Sequence, residues 1–221
     1  HLYFSVSEGE QLVSDGTDKL NSLLKAKAPN SLRWTYRVIP DEEHLSTAHA
    51  TLFQGLKNYF YGYEIFQIYG LEKFQKAGGL KHLYAYNKLR AERFGFSEQP
   101  EPWSLFTIVR NAIRADKFEQ FELFMEEFKS FEMIQKLSLG NSNSIAQYYL
   151  QYKHYDGAID VYQTMAEANP DNAKIQNELG DIYFTLKDNK TAKSYYEKAI
   201  QLAIKSNDER LADYQKDLSK L

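Results

Sequence analysis

Trp34–Phe60, WTYRVIPDEEHLSTAHATLFQGLKNYF, sets a strand, an acidic turn, a histidine and a helix in immediate succession. Trp34, Tyr36 and Val38 alternate with Thr35 and Arg37 and run into Ile39, a β-branched and aromatic series suited to a half-buried pleated segment. Pro40 stops the strand. Asp41, Glu42, Glu43 and His44 form a polar turn, and from Ser46 the apolar positions Ala48, Leu52, Leu56 and Tyr59 or Phe60 recur on one face of a helix. Working upstream, Leu2–Val6 reads as a short buried strand, with Ser7, Glu8, Gly9 and Glu10 as its exit loop. Gln11–Lys27 follows as an amphipathic helix carrying Leu12, Leu20, Leu23 and Leu24, closed by Ala28, Pro29, Asn30 and Ser31. The order is β-α-β-α, and a helical crossover of this length joins parallel strands. His44 then sits on a loop whose ends are fixed by a strand and a helix, where side chains are both held and reachable.

Arg37–Phe60 resembles the C-terminal signature of the esterase D-like and enterochelin esterase-like branch of the α/β-hydrolases. In that branch the last strand is followed by the triad histidine and then by a closing helix with a phrase similar to Leu52–Phe60, LFQGLKNYF. The resemblance covers residues 1–62 and implies that His44 is the general base and acid. It also implies an acid just after the penultimate strand, with Glu10 as the first candidate and Glu8 as the second. Such a carboxylate fixes the imidazole tautomer and stabilises the imidazolium formed when the base takes a serine proton. Read without the resemblance, Glu8 and Glu10 are solvated loop charges.

The nucleophile of this class sits in a Gly-x-Ser-x-Gly elbow, because only small residues fit the strained strand-to-helix turn. None of the eleven glycines has another four residues away. The triad order of the fold puts the serine before the acid, where only Ser5 and Ser7 stand, one inside a strand and one in its exit loop. The resemblance therefore implies a C-terminal piece of a serine esterase whose nucleophile lies upstream of His1. Such a piece is inactive alone and meets its ester substrate only in the full-length protein. The resemblance further suggests a bacterial periplasmic location.

Composition narrows the remaining classes. A chain of 221 residues, 43% hydrophobic and 15% aromatic, has the makings of a buried core. Its 27 basic and 30 acidic residues give a net charge of −3, which offers no electrostatic footprint for nucleic acid and no polybasic membrane patch. There is no cysteine, so disulfides and thiol chemistry are excluded. His44 and His49 are five apart, not the i,i+4 pair of a helical zinc site, and no third ligand accompanies them. No metal and no cofactor are expected. His49, His82 and His154 read as surface or structural residues. Gly78 and Gly79 precede a helix, but without a preceding strand or a Lys-Ser/Thr ending they are not a phosphate loop.

From Tyr61 onward the strand signal disappears. Tyr63–Lys76 and Leu80–Arg93 read as helices, and Phe94–Pro102 as a break, so residues 63–102 are expected to form a helical linker. Residues 139–206 repeat with a period of 34: Ile145, Ala146, Tyr149, Ala158, Tyr162 and Pro170 stand where Leu179, Gly180, Tyr183, Ala192, Tyr196 and Ile204 stand in the second copy. This pattern resembles the tetratricopeptide repeat, in which small residues let paired helices nest and large ones fill the space between. Residues 103–137 read as a degenerate first copy, with Phe121 at a position that expects a small residue. Asp208–Leu221 reads as a charged terminal helix, as a solenoid end requires. Residues 103–221 are thus expected to form the repeat domain.

The expected fold class is mainly α with a small α/β part: a β-α-β-α remnant of a hydrolase, then repeat helices. The expected function is the C-terminal part of a serine esterase with repeats for protein interaction or dimerisation. The alternative is a noncatalytic protein-interaction module with a vestigial hydrolase edge. Partners follow: an ester substrate, a peptide or protein on the repeat face, and a second copy. Two strands alone leave open edges that favour self-association.

Overall fold

The computed structural model describes residues 1–129 and 132–221. The chain divides into two compact units, His1–Glu64 and Ile65–Leu221.

In the first unit, β1 (Leu2–Ser7) and β2 (Trp34–Ile39) pair in parallel, with Leu2 opposite Trp34 and Ser7 opposite Ile39. The crossover helix α1 spans Gln11–Lys27 and the closing helix α2 spans His44–Tyr59. Ser7 belongs to the strand, not to its exit loop, and its side chain is buried beside Val6. His44 is likewise the first residue of α2, because Glu43 rather than a later residue caps the helix: the Glu43 amide donates to Ser46 Oγ at 2.9 Å. Polar ties fix the helices to the sheet. Trp34 Nε1 donates to Asn21 Oδ1 at 3.2 Å, the Thr17 and Tyr36 hydroxyls lie 3.1 Å apart, and the Ser5 and Thr51 hydroxyls share a hydrogen bond. Gly55 lets α2 approach β1, since a Cβ there would sit 3.3 Å from the Tyr3 ring. The apolar stripe expected on α1 is not buried: no α1 residue is, and Leu12 is 95% exposed. On α2, Leu52 and Phe53 also face out. Two strands present too little surface to cover two amphipathic helices.

Among its described residues the second unit carries helices and no strand. After an extended stretch come α3 (Leu71–Lys76), α4 (Gly79–Phe94), α5 (Pro102–Arg114), α6 (Phe118–Glu127) and a single-turn α7 (Met133–Lys136). Then follow α8 (Leu139–Gln151), α9 (Tyr155–Ala168), α10 (Ala173–Thr185), α11 (Asn189–Ser206) and α12 (Leu211–Leu218). The stretch expected as a linker differs from the expectation in two respects. Residues before Leu71 are not helical, and Phe66, Leu71, Phe74 and Leu83 are buried in the same core as Leu105, Phe121 and Ile145. Asn111 on α5 explains the extended start: its Oδ1 accepts from the Gly70 amide at 2.8 Å and its Nδ2 donates to the Ile68 carbonyl at 2.6 Å. An amide side chain that matches a backbone donor and acceptor substitutes for the helical hydrogen bonds this segment lacks.

The hairpins α8–α9 and α10–α11 share details beyond the apolar pattern. Ser138 and Asn172 cap the first helix of each, and His154 and Asp188 cap the second, so both sets of caps keep the period of the repeat. Lys153 and Lys187 precede the second caps with φ of 57° and 62°, and Asp116 occupies the same conformation between α5 and α6. The α5–α6 pair is therefore built like the two hairpins that follow, with α7 inserted after it. No helix among the described residues is long and apolar enough to cross a membrane.

Candidate functional site

Two places carry the residues singled out in the sequence. The first lies at the carboxyl ends of the parallel strands, where α/β folds gather reactive groups because successive helices begin there. Glu10 follows β1 and caps α1; His44 follows β2 and opens α2. The structure brings them together. His44 Nδ1 and Glu10 Oε1 share a hydrogen bond, and Ser7 Oγ donates to Glu10 Oε2 at 2.8 Å. Both carboxylate oxygens are engaged, so the group is oriented from two sides. The bond with His44 is the main reason, and that with Ser7 the second, why the Glu10 carboxyl is held below its usual range. The carboxylate is well shielded, with 16% of its side chain exposed, whereas the imidazole is 78% exposed. The bond with Glu10 engages Nδ1, so Nε2 is the ring nitrogen that takes no part in it.

A cleft of about 650 Å³ adjoins this pair, with Tyr3, Ser5, Thr51, Leu52 and Tyr59 among its walls. Among the described residues no serine hydroxyl is hydrogen-bonded to His44: Ser5 is taken up by Thr51 and Ser7 by Glu10. Glu8, the second candidate for the acid, is exposed and makes no side-chain hydrogen bond among the described residues. His49 is exposed on α2, and His82 is exposed with its ring 5.4 Å from Phe66. His154 has a role the sequence did not disclose, since its Nδ1 accepts from the Gly157 amide as a helix cap while Nε2 lies 3.2 Å from Glu122.

The second place is the packed interior of the hairpins. Ala146, Ala158 and Ala192 are fully buried. Gly180 lies under Tyr196, where a Cβ would stand 2.5 Å from the ring, so only glycine allows this approach. The same intimacy recurs at Gly157, where a Cβ would be 2.6 Å from the Tyr149 ring. That contact is not visible in the repeat pattern, because the second copy carries Thr191 there. Tyr162 and Tyr196 are buried, yet each hydroxyl is bound to the preceding helix. Gln147 Nε2 donates to the Tyr162 hydroxyl at 2.9 Å, and the Tyr196 hydroxyl donates to Asp181 Oδ1 at 2.8 Å. Gln147 and Asp181 are one repeat apart, so these bonds too recur. Tyr183 departs from the expectation, being half-buried and stacked on Tyr195 at 5.4 Å between ring centroids. Burial pushes the Glu178 and Asp181 carboxyls above their usual range.

Residues 173–203 match the tetratricopeptide repeat model. This covers α10 and most of α11. Among solved structures, a MamA double mutant (RS-1) is 14% identical, over 77% of this chain and 93% of its own, with a TM-score of 0.39. A MamA chain from Desulfovibrio magneticus RS-1 is 16% identical, over 75% of this chain and 93% of its own, with a TM-score of 0.38. No curated protein matches. The family match leaves residues 1–62, and their resemblance to ester hydrolases, outside its span.

Proposed function

We propose that the chain acts as a protein-interaction module built on helical hairpins. The observation that carries this reading is the tetratricopeptide match at residues 173–203 together with a hairpin geometry that repeats in α8–α9 down to its caps and its tyrosine hydroxyl bonds. Helix pairs stacked in this way offer long surfaces formed by side chains from several repeats, which suits recognition of another polypeptide. The test is site-specific photo-crosslinking from exposed positions of α8 and α10, such as Gln151 and Lys174. A saturable adduct with one protein, competed by unlabelled chain, supports the reading; adducts that neither saturate nor compete refute it.

A second reading is favoured by the hydrogen bond between Glu10 and His44 beside the cleft. In it, the first unit supplies the histidine and orienting carboxylate of a serine ester hydrolase whose nucleophile comes from elsewhere in a longer protein. His44 would take the serine proton at Nε2 and return it to the leaving alcohol, while Glu10 holds the ring and balances its transient positive charge. Hydrolysis of a p-nitrophenyl ester by the natural full-length protein should fall by about three or more orders of magnitude in His44→Ala. Equal activity with and without His44 would end this reading and leave the interaction module standing.

A further inference from the structure

We infer that the groove between α6 and α9 is a docking site for a basic, amphipathic helix of a partner protein. This inference deepens the interaction-module reading and rests on it. The groove has a volume of about 1060 Å³ and is lined mainly by α6 and α9, the second helices of neighbouring hairpins, with α7 and Tyr149 of α8 completing its wall. Its floor is apolar: Met125, Met133, Val161 and Leu123 contribute to it, and Leu123 is 61% exposed on a helix whose other large apolar residues pack inward. Its rim is acidic. Among the described residues seven carboxylates line the groove against a single lysine, an imbalance larger than the net charge of the entire chain. Glu119, Glu126, Asp160 and Glu167 form no ion pair among the described residues, whereas Glu122 meets His154 and Glu132 meets Lys136.

The occupant is defined by that combination. An apolar stripe is needed to cover Leu123 and the floor, and positive charge on both flanks is needed to meet the rims that α6 and α9 present. A helix with apolar residues at i, i+3, i+4 and i+7, flanked by lysines or arginines, presents both features in one element. The groove walls match its length: α9 has 14 residues, about 21 Å of helix axis. Nucleic acid, being anionic, is repelled by such a rim, and a purely apolar helix would leave the carboxylates desolvated without partners.

The test uses a synthetic helix-forming peptide of about 15 residues with leucines on one stripe and lysines and arginines on its flanks. A scrambled peptide of the same composition is the control. Binding to the whole chain is followed by backbone amide shifts and by titration calorimetry. The inference expects a one-to-one complex whose shifts map to α6 and α9, and clearly weaker binding of the scrambled peptide. Leu123→Ala should weaken binding about tenfold through lost apolar contact. Glu126→Lys combined with Asp160→Lys should weaken it by at least about tenfold and flatten its salt dependence. All three positions are exposed, and unchanged circular dichroism would show the fold intact. Equal binding of the scrambled peptide, or no binding, overturns the inference. Shifts confined to α8 and α10 also overturn it while leaving the interaction-module reading in place. Sedimentation showing that the chain itself associates through this groove, in a manner abolished by the two lysine substitutions, would make the occupant a second copy and likewise overturn a partner helix.

Discussion

Gly180→Ala is the sharpest test of the hairpin geometry, because two opposing effects have known sizes. Alanine in a helix interior is favoured over glycine by about 0.8–1.0 kcal/mol, so an open site would be stabilised. At Gly180 the added Cβ would lie 2.5 Å from two carbons of the Tyr196 ring and 3.2 Å from a third. The ring has little freedom to yield: Tyr196 is 1% exposed and its hydroxyl is bound to Asp181 at 2.8 Å. Forcing a methyl group into packed interior costs about 1–3 kcal/mol. Overpacking wins, and the net loss should be about 1–2 kcal/mol at the upper end of that range. Urea unfolding followed by far-ultraviolet circular dichroism reads this as a midpoint lowered by about 0.5–1 M. Gly140→Ala is the matched control in the same unit, since a Cβ there meets nothing within 4 Å, and it should leave stability unchanged or raise it by up to about 1 kcal/mol. In a Tyr196→Leu background the penalty of Gly180→Ala should disappear, which separates the ring contact from any other effect of the methyl group. Gly180→Ala as stable as the parent would refute the close approach of α10 and α11.

Three further outcomes follow from named contacts. Asn111→Ala strips the Gly70 amide and the Ile68 carbonyl of their buried side-chain partner and should destabilise the second unit by about 1–3 kcal/mol in the same urea assay, with Gly70 losing hydrogen-exchange protection first. For Glu10, the folded-state pKa lies below the unfolded one, so its bonds stabilise the first unit above the ordinary carboxylate range and are lost as pH falls through the lowered value. A carbon-detected titration should show the Glu10 midpoint rising in His44→Ala; an unchanged midpoint would mean that the two side chains are not bound in solution. Glu178 has the opposite sign, because burial raises its folded pKa, so the charged form opposes folding and the cost fades as pH drops through that pKa. Glu178→Gln should therefore raise the urea midpoint at pH 7 more than at pH 4, and an equal gain at both would contradict burial of a charge.

The repeat part was legible because its signal is local and doubled. A period of 34 shared by Ala158 and Ala192, and by Tyr162 and Tyr196, constrains helix length, turn position and packing at once. Phe121 shows the limit of that reading. It breaks the small-residue rule, yet it is fully buried, because its ring packs edge to face with Tyr148 and Tyr149 at 4.9 and 4.7 Å between centroids. The linker expectation at residues 63–102 rested on glycine and proline as punctuation. Phe66 and Phe74 nevertheless pack edge to face at 6.2 Å within the larger core, and no local pattern reveals which distant helix an aromatic residue will meet. The paired caps at Ser138, Asn172, His154 and Asp188 were present in the repeat but went unread, since polar residues at helix starts vary in type while keeping their position.

Periodicity and punctuation in the sequence determined that this chain starts β-α-β-α and continues as helical hairpins, because those signals come from neighbouring residues along the backbone. The resemblance to ester hydrolases added Glu10 as the first candidate partner for His44 and Glu8 as the second. Which of the two carboxylates bonds to His44 is visible only in the tertiary structure. The parallel register of β1 and β2, Ser7 opposite Ile39, sets the start of α1 beside the start of α2, and Glu10 lies within reach of His44 while Glu8 does not bond to it. The acidic groove was likewise out of reach of sequence reading. Its carboxylates come mainly from two helices separated by α7 and α8, and their proximity exists only once the hairpins have stacked.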